Sequence, residues 1–237
     1  MQLRSVAPES SSRIAAMFDR IAPRYDLLNQ LLSARQDRRW RQAMVALLPW
    51  RQGGTLLDVA TGTGDVLFAA AAKHPEYRVF AGVDISEGML AVARDKATRL
   101  GVAGEFATMD ATELKFGERT VDAITIAFGL RNVVDKGRAL DEFNRVLKPG
   151  GKLLILEFFL PQKGLLARLF QFYFHQILPK IGGLLSDRDA YTYLPQSVGS
   201  FYSRGQLRDE LYRRGLIVEE DRGFLFGACR LIGARRS

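Results

Sequence analysis

Leu56–Val66, LLDVATGTGDV, decides how this chain folds. An apolar run ends there in a glycine-rich turn flanked by two aspartates, and an alanine-rich segment follows. Thr55–Val59 reads as a short buried strand, Gly62 and Gly64 as a tight turn that lets backbone approach a ligand, and Asp65–Lys73 as a helix. Strand, glycine turn and helix in this order make a nucleotide-cofactor signature.

Charge and spacing narrow the cofactor. A dinucleotide fingerprint needs a third glycine three residues after the second, where this chain has Leu67. A pyrophosphate at the helix N-terminus would also lie beside the carboxylates of Asp58 and Asp65, which oppose the attraction of the helix dipole. S-adenosylmethionine carries a sulfonium and an ammonium and no phosphate, so it avoids that repulsion. An ordinary strand-to-helix turn with Asp65 as N-cap is the plainer reading of the same residues.

Outward from this stretch, strands and helices alternate. Arg78–Val83 reads as a second strand ending in Asp84, and Glu87–Leu100 as a helix started by Ser86. Asp84 lies about 20 residues beyond the glycine turn, where an acidic side chain at a strand end can accept both ribose hydroxyls of an adenosine. Gly104–Thr108 is a third strand, running on to Asp110 and Ala111. Val121–Ala127 is a fourth, followed by the turn Phe128–Asn132. Asp135–Leu147 is a helix halted by Lys148-Pro149-Gly150-Gly151, and Lys152–Phe158 is a fifth strand. That order predicts an α/β fold with a mostly parallel sheet, helices on both faces and a ligand crevice at the strands' C-terminal edge. Thr63, Asp84, Asp110 and Phe128–Asn132 all fall on that edge.

The flanks are less regular. Before the first strand, helical periodicity covers Arg13 to Pro23, about Tyr25–Leu32, and Asp37–Leu48. We divide the chain into an N-terminal helical extension at 1–50, which either covers the site or packs on the sheet edge, and a catalytic domain at 51–237. An insertion at about 160–202 holds the apolar helix Leu165–Leu178, suited equally to core and to a lid or apolar channel, and a loop Gly182–Gly199 carrying Asp187, Tyr191 and Tyr193. A helix near Arg204–Arg214 and a final antiparallel hairpin, Ile217–Asp221 with Phe224–Ala234, end the chain.

Composition bounds the function. The 237 residues are 47% hydrophobic and 25% charged, enough for a sizeable core; no window is apolar enough to span a bilayer, and the N-terminus lacks a signal-peptide core, so a cytoplasmic protein is expected. One cysteine and two histidines argue against a zinc site, and no metal is expected. The net charge of +8 concentrates at the ends: residues 1–51 hold nine arginines against four acids. Anionic lipid, nucleic acid and a plain solvated face all suit such ends.

The motifs have a recognisable likeness. MFDRIAPRYDLLNQLLS with Trp40, LDVATGTGD, ITIAFGLRNVVDKGRAL, RVLKPGGKLLILEF and FHQILPKIGGLLSDRDAYTYLPQSV together resemble the ubiquinone/menaquinone biosynthesis C-methyltransferase family from about Met17 onward. Asp37, Phe159 and Ala127 depart from its pattern, standing where histidine, serine and, in many members, serine occur.

The resemblance implies a class I S-adenosylmethionine-dependent methyltransferase with a Rossmann-like, mostly parallel seven-stranded sheet. It implies S-adenosyl-L-methionine bound by Thr63, Asp84, Asp110 and Ala111, with Asp58, Gly62, Gly64 and Ala127 around them. The implied reaction is C-methylation of a prenylated quinol, demethylmenaquinol first and a 2-methoxy-6-polyprenyl-benzoquinol as the alternative. Proton loss from a quinol hydroxyl activates the ring carbon. Arg131 is the first candidate to stabilise the resulting phenolate, with His175 and Tyr191 as further candidates. A nucleic-acid methyltransferase is the competing class, but no base-flipping tetrapeptide, catalytic cysteine near the later strands or RNA-binding appendage supports it, so nucleic acid is not an expected partner. A long prenyl tail further implies peripheral contact with an anionic membrane surface, and a homodimer stays open.

Overall fold

The computed structural model describes residues 10–33, 35–160 and 188–237. Seven strands form one sheet in the order β3-β2-β1-β4-β5-β7-β6. The strands are β1 (Gly54–Val59), β2 (Tyr77–Asp84), β3 (Gly104–Thr108), β4 (Val121–Ala127), β5 (Leu147–Phe158), β6 (Leu216–Phe224) and β7 (Cys229–Arg236). The first five pair in parallel, while β7 runs antiparallel to both β5 and β6. The expected closing hairpin is therefore present, with β7 inserted beside β5 and β6 on the outside.

Side-chain alternation explains why both faces are covered. Leu57, Val59, Ile124, Ile126, Leu153 and Ile155 enter one buried cluster with Leu140, Phe143, Leu207 and Leu211. Leu56, Ala123, Leu154 and Leu156 point the other way, to Met44, Leu67 and Ala97. Helices α6 (Lys136–Val146) and α8 (Arg204–Arg213) thus cover the first face, and α3 (Gln36–Val45), α4 (Asp65–Lys73) and α5 (Glu87–Leu100) the second. Strands buried on both sides read as near-continuous apolar runs, as β4 and β5 do.

Local signals set the helix ends. Ser86 Oγ accepts from the Met89 N–H and Asp135 from the Arg138 N–H, so both act as N-caps. At α4 the N-cap is Gly64, with φ +86°, and Asp65 sits in the first turn. The segment Lys148–Gly151 does not precede β5 as expected; it loops out within the strand, between the pairings Val121–Leu147 and Ala123–Lys152.

Two further helices precede the sheet, α1 (Ser11–Ile21) and α2 (Tyr25–Leu32), joined by a single 3₁₀ turn. The expected loop at 182–199 is corrected over its later part, because Arg188–Gly199 is a helix, α7, with Pro195 inside it. It packs against α1 and the Leu130–Asn132 turn, and Pro195, Ser197 and Val198 are buried. That tertiary contact outweighs the local cost of a proline, which is what the sequence signal reflects. The expected helix Leu165–Leu178 lies outside the described residues.

Candidate active site

The C-terminal ends of β1, β2 and β4 and the segment after β3 surround an open cleft of about 660 Å³. Its lining combines Gly62, Asp84, Asp110, Ala111 and Ala127 with Val59, Ala60, Ile85, Met89, Met109, Phe128, Gly129, Asn132 and Val133. Ser11, Ile14 and Phe18 of α1 and Tyr25 of α2 complete the wall.

The glycine turn is tied to the next strand by Asp84. Its Oδ2 accepts from the Gly62 N–H at 2.8 Å and its Oδ1 from the Ser86 N–H at 2.9 Å. Burial pushes the Asp84 carboxyl up from its ordinary value against those amide hydrogen bonds. The Ile85 N–H also bonds this carboxylate, which with about four lone-pair sites in all retains acceptor capacity at the cleft. Asp110 is held differently: its Oδ1 accepts from the N–H and hydroxyl of Thr112, and its Oδ2 from the Ser11 hydroxyl at 2.9 Å. Burial works to raise its pKa, but these hydrogen bonds, with Arg138 nearby, outweigh it and leave Asp110 below the ordinary range.

Three of the expected cofactor residues do not line the cleft. Asp58 lies beneath the turn, fully enclosed, accepting from Thr61 Oγ1 at 2.7 Å and Thr125 Oγ1 at 2.6 Å. Burial raises its pKa to about 6 despite both hydroxyls. Thr63 faces away, donating to Asp26 Oδ1 at 2.6 Å, with Lys96 Nζ 3.2 Å from its hydroxyl. Lys96 also pairs with Asp26 and Asp65, so α2, the glycine turn and α5 meet in one ion cluster. Gly64 is needed for packing: a Cβ there would stand 2.5 Å from the Phe68 ring. These residues shape the turn from behind, while Gly62 alone of the two glycines reaches the cleft.

The turn after β4 is held just as firmly. Arg131 Nη1 donates to Glu157 Oε1 at 2.7 Å and to the Phe128 carbonyl at 2.5 Å, and the Arg131 N–H donates to Glu157 Oε2. Arg131 is thus in a buried ion pair and is absent from the cleft lining. Its neighbour Asn132 is on the wall, and Asn132 Oδ1 is buried without a hydrogen-bond partner among the described residues. His175 lies outside the described residues; Tyr191 falls in α7, with its side chain outside them too.

Sequence reading named the Phe128–Asn132 turn without singling out Asn132, left the N-terminal helices as site cover or edge packing, and missed Glu157, Phe18 and Tyr25. For Glu157 a signal exists: one acid inside the apolar run LLILEFF marks a charge that burial must pair. Tyr25 and Phe18 carry no such mark, since their place on the wall depends on how α1 folds back. Among the described residues no group of three or more His, Cys, Asp or Glu side chains is placed to hold a metal.

The residues present suit S-adenosylmethionine. Asp84 keeps acceptor capacity, Ile85, Met89 and Met109 offer an apolar surface for a purine, and buried Asp58 places negative charge under the turn. Sheet order and site together define a class I S-adenosylmethionine-dependent methyltransferase. Residues 7–232 match the ubiE/COQ5 methyltransferase family, and the chain belongs to that family. It is an S-adenosylmethionine-dependent C-methyltransferase.

Its relatives are close. A ubiquinone/menaquinone biosynthesis C-methyltransferase UbiE of Geobacter sulfurreducens is 50% identical over 94% of this chain and 88% of that one. A demethylmenaquinone methyltransferase of Thermus thermophilus is 44% identical over 85% and 92%. Among solved structures, the [4+2]-cyclase SpnF matches with a TM-score of 0.71 at 19% identity, covering 98% and 97% of the two chains. A methyltransferase from Aquifex aeolicus matches at 0.59 and 20% identity, covering 97% of this chain and 100% of its own. At such identities these two support the fold alone.

Proposed function

We propose that the enzyme transfers a methyl group to a ring carbon of a prenylated quinol, converting demethylmenaquinol to menaquinol. The observation that carries this reading is the composition of the cleft. Asp84 and Asp110 share one space with the aromatic wall of Phe18, Tyr25 and Phe128, so an adenosyl group and a flat ring have adjoining places. The names of the relatives from Thermus thermophilus and Bacteroides fragilis, demethylmenaquinone methyltransferase, agree with it. The name of the Geobacter relative couples ubiquinone to menaquinone, which keeps a methoxy-benzoquinol as the second substrate.

S-adenosylmethionine supplies an electrophilic methyl group. Asp84 would hold its ribose, Asp110 and Ala111 its base, and Gly62 would allow backbone contact at the turn. Ala127 presents a methyl group where a hydroxyl would add a hydrogen bond worth about 0.5–1.5 kcal/mol. Alignment of ring carbon, methyl and sulfur would supply most of the rate, and Phe128, Gly129, Asn132 and Val133, which line the cleft, would orient the ring for it. Asn132 supports a contact with a quinol hydroxyl: it stands on this wall, its Nδ2 donates to the Phe128 carbonyl at 3.3 Å, and its buried Oδ1, unpartnered among the described residues, would reach a hydroxyl on a turn of the side chain. Arg131 holds that turn through Glu157, and the pairing spends its charge there, so its part is to position the wall. Proton acceptance falls to a water or another side chain, since guanidinium is no base.

The test is direct. Purified protein and labelled S-adenosylmethionine are incubated with reduced demethylmenaquinone, with a reduced 2-methoxy-6-polyprenyl-benzoquinone and with RNA. Label is expected in demethylmenaquinol; no transfer to either quinol, alongside transfer to RNA, overturns the reading.

A further inference from the structure

The turn between β6 and β7 is built against ordinary backbone and solvation preferences. Leu225 and Phe226 have φ of +46° and +56°, and both are non-glycine. Left-handed backbone is uncommon for bulky side chains, so two in succession persist only where the surroundings enforce them. The result is outward display: Phe226 is 79% exposed and Leu225 45%.

The position of this tip matters. Phe158, the last residue of β5, pairs with Cys229 at the start of β7, and Phe224, the last of β6, pairs with the same Cys229. Because β5 runs parallel to β4, the tip stands at the sheet edge that carries Ala127 and the cleft. The Phe159 N–H donates to the Ala228 carbonyl at 2.8 Å and fastens the tip to the end of β5.

From the tip an aromatic row leads inward. The Phe224 ring lies 6.2 Å from Trp40, Trp40 lies 6.1 Å from Phe158 and 6.3 Å from Phe128, and Phe128 and Phe158 stand 4.8 Å apart. Phe128 is on the cleft wall. The two elements that meet at Trp40 and Phe224 also carry exposed positive charge, Arg35, Arg38 and Arg39 at the start of α3 and Arg222 on β6, whose guanidinium sits 5.2 Å from the Phe224 ring. The acid nearest on β6, Asp221, is neutralised by Arg204 and Arg230.

We propose that Leu225 and Phe226 insert into the interfacial layer of an anionic lipid bilayer, and that the packed row Phe224–Trp40–Phe128 ties the docked tip to the cleft wall. Exposed aromatic and aliphatic side chains with exposed arginines on the flanking elements suit the headgroup boundary, where apolar area is buried and cations meet anionic lipid. Phe128, at the inner end of the row, is on the cleft wall, so docking of the tip brings the cleft close to the layer that holds an apolar tail. Delivery of the tail, but not the docking, rests on the quinol reading above.

The test uses the full chain with vesicles of phosphatidylglycerol and phosphatidylcholine, and with phosphatidylcholine alone. Co-flotation is expected with the first and to fall about tenfold or more in Leu225→Ser/Phe226→Ser, since each substitution removes most of one large side chain's burial. Calorimetric S-adenosylmethionine binding by the variant is expected to match wild type, which shows that it is folded. Transfer to a short-tailed, water-soluble demethylmenaquinol is expected to stay unchanged, and transfer to a long-tailed one in vesicles to fall. Flotation unaffected by the double substitution, or equal on neutral and anionic vesicles, overturns the proposal, as does loss of long-tail transfer with vesicle binding intact, which would point to a protein partner. If no quinol is methylated while flotation behaves as expected, the quinol reading fails and the membrane docking stands.

Discussion

Glu157 on β5 and Arg131 in the turn after β4 form a sealed ion pair, Nη1 to Oε1 at 2.7 Å, with side chains 0% and 8% exposed. Two strands' worth of active-site edge is thereby locked, because Glu157 also accepts from the Arg131 and Phe158 N–H groups. Removing one partner leaves the other charge buried. Arg131→Ala and Glu157→Ala are each expected to cost about 3–5 kcal/mol in urea unfolding. The double variant Arg131→Met/Glu157→Leu is expected to recover part of that stability without recovering methyl transfer, which separates packing from the use of the charge.

A second close approach joins the ends of β1 and β4. A Cβ at Gly129 would stand 2.4 Å from the Cβ of Ala60, itself at φ +50°. Both residues line the cleft. Gly129→Ala is therefore expected to push the two loops apart, lowering stability by about 1–3 kcal/mol and weakening S-adenosylmethionine binding in calorimetry. Unchanged affinity would show that the loops separate without cost to the site.

Asp84 serves the turn and the cofactor together. Asparagine in its place has one acceptor oxygen, so the N–H of either Gly62 or Ser86 would face an amide NH₂. Asp84→Asn is expected to weaken S-adenosylmethionine binding about tenfold or more, since hydrogen bonds to a charged acceptor are worth about 1.5–3 kcal/mol. Titration calorimetry checks it.

Asp58 gives the fold a pH signature. Its folded pKa of about 6 lies above the ordinary aspartate value of 3.8, so over that interval the native state holds more protons than the unfolded chain. Stability is then lost as pH rises from about 4 to about 6, by up to about 3 kcal/mol from this group. Asp84, also raised, adds in the same direction, while Asp110 and Glu142, both lowered, act in the opposite one. Asp58→Asn is expected to remove the Asp58 share, seen as the difference between the two proteins' urea midpoints across that range.

Much of the frame is legible along the chain because its signals are local. Ser86 three residues before Met89, the positive-φ positions at Gly62 and Gly64, and the near-continuous apolar runs of β4 and β5 each act within a few residues. The same locality explains the misreading of 188–199, where Pro195 suggests a loop and only contact with α1 and the Leu130–Asn132 turn makes the helix. Site residues divide the same way. Asp84, Asp110 and Ala127 are placed by strand ends and reach the cleft, whereas Thr63 is turned toward Asp26, 37 residues distant, by a contact that no local pattern records.

The glycine turn, the strand–helix alternation and the acids at strand ends thus settle the fold class and the cofactor's side of the sheet from sequence alone, since backbone preference and strand period operate between near neighbours. Tertiary structure alone decides that α1 and α2 wall the cleft, that Arg131 is spent on Glu157, and that Asp58 works from beneath. Each of these depends on which distant charges and rings meet once water is excluded. Burial turns an acid in a strand into a fixed partner, and chain order does not say which residue it will meet.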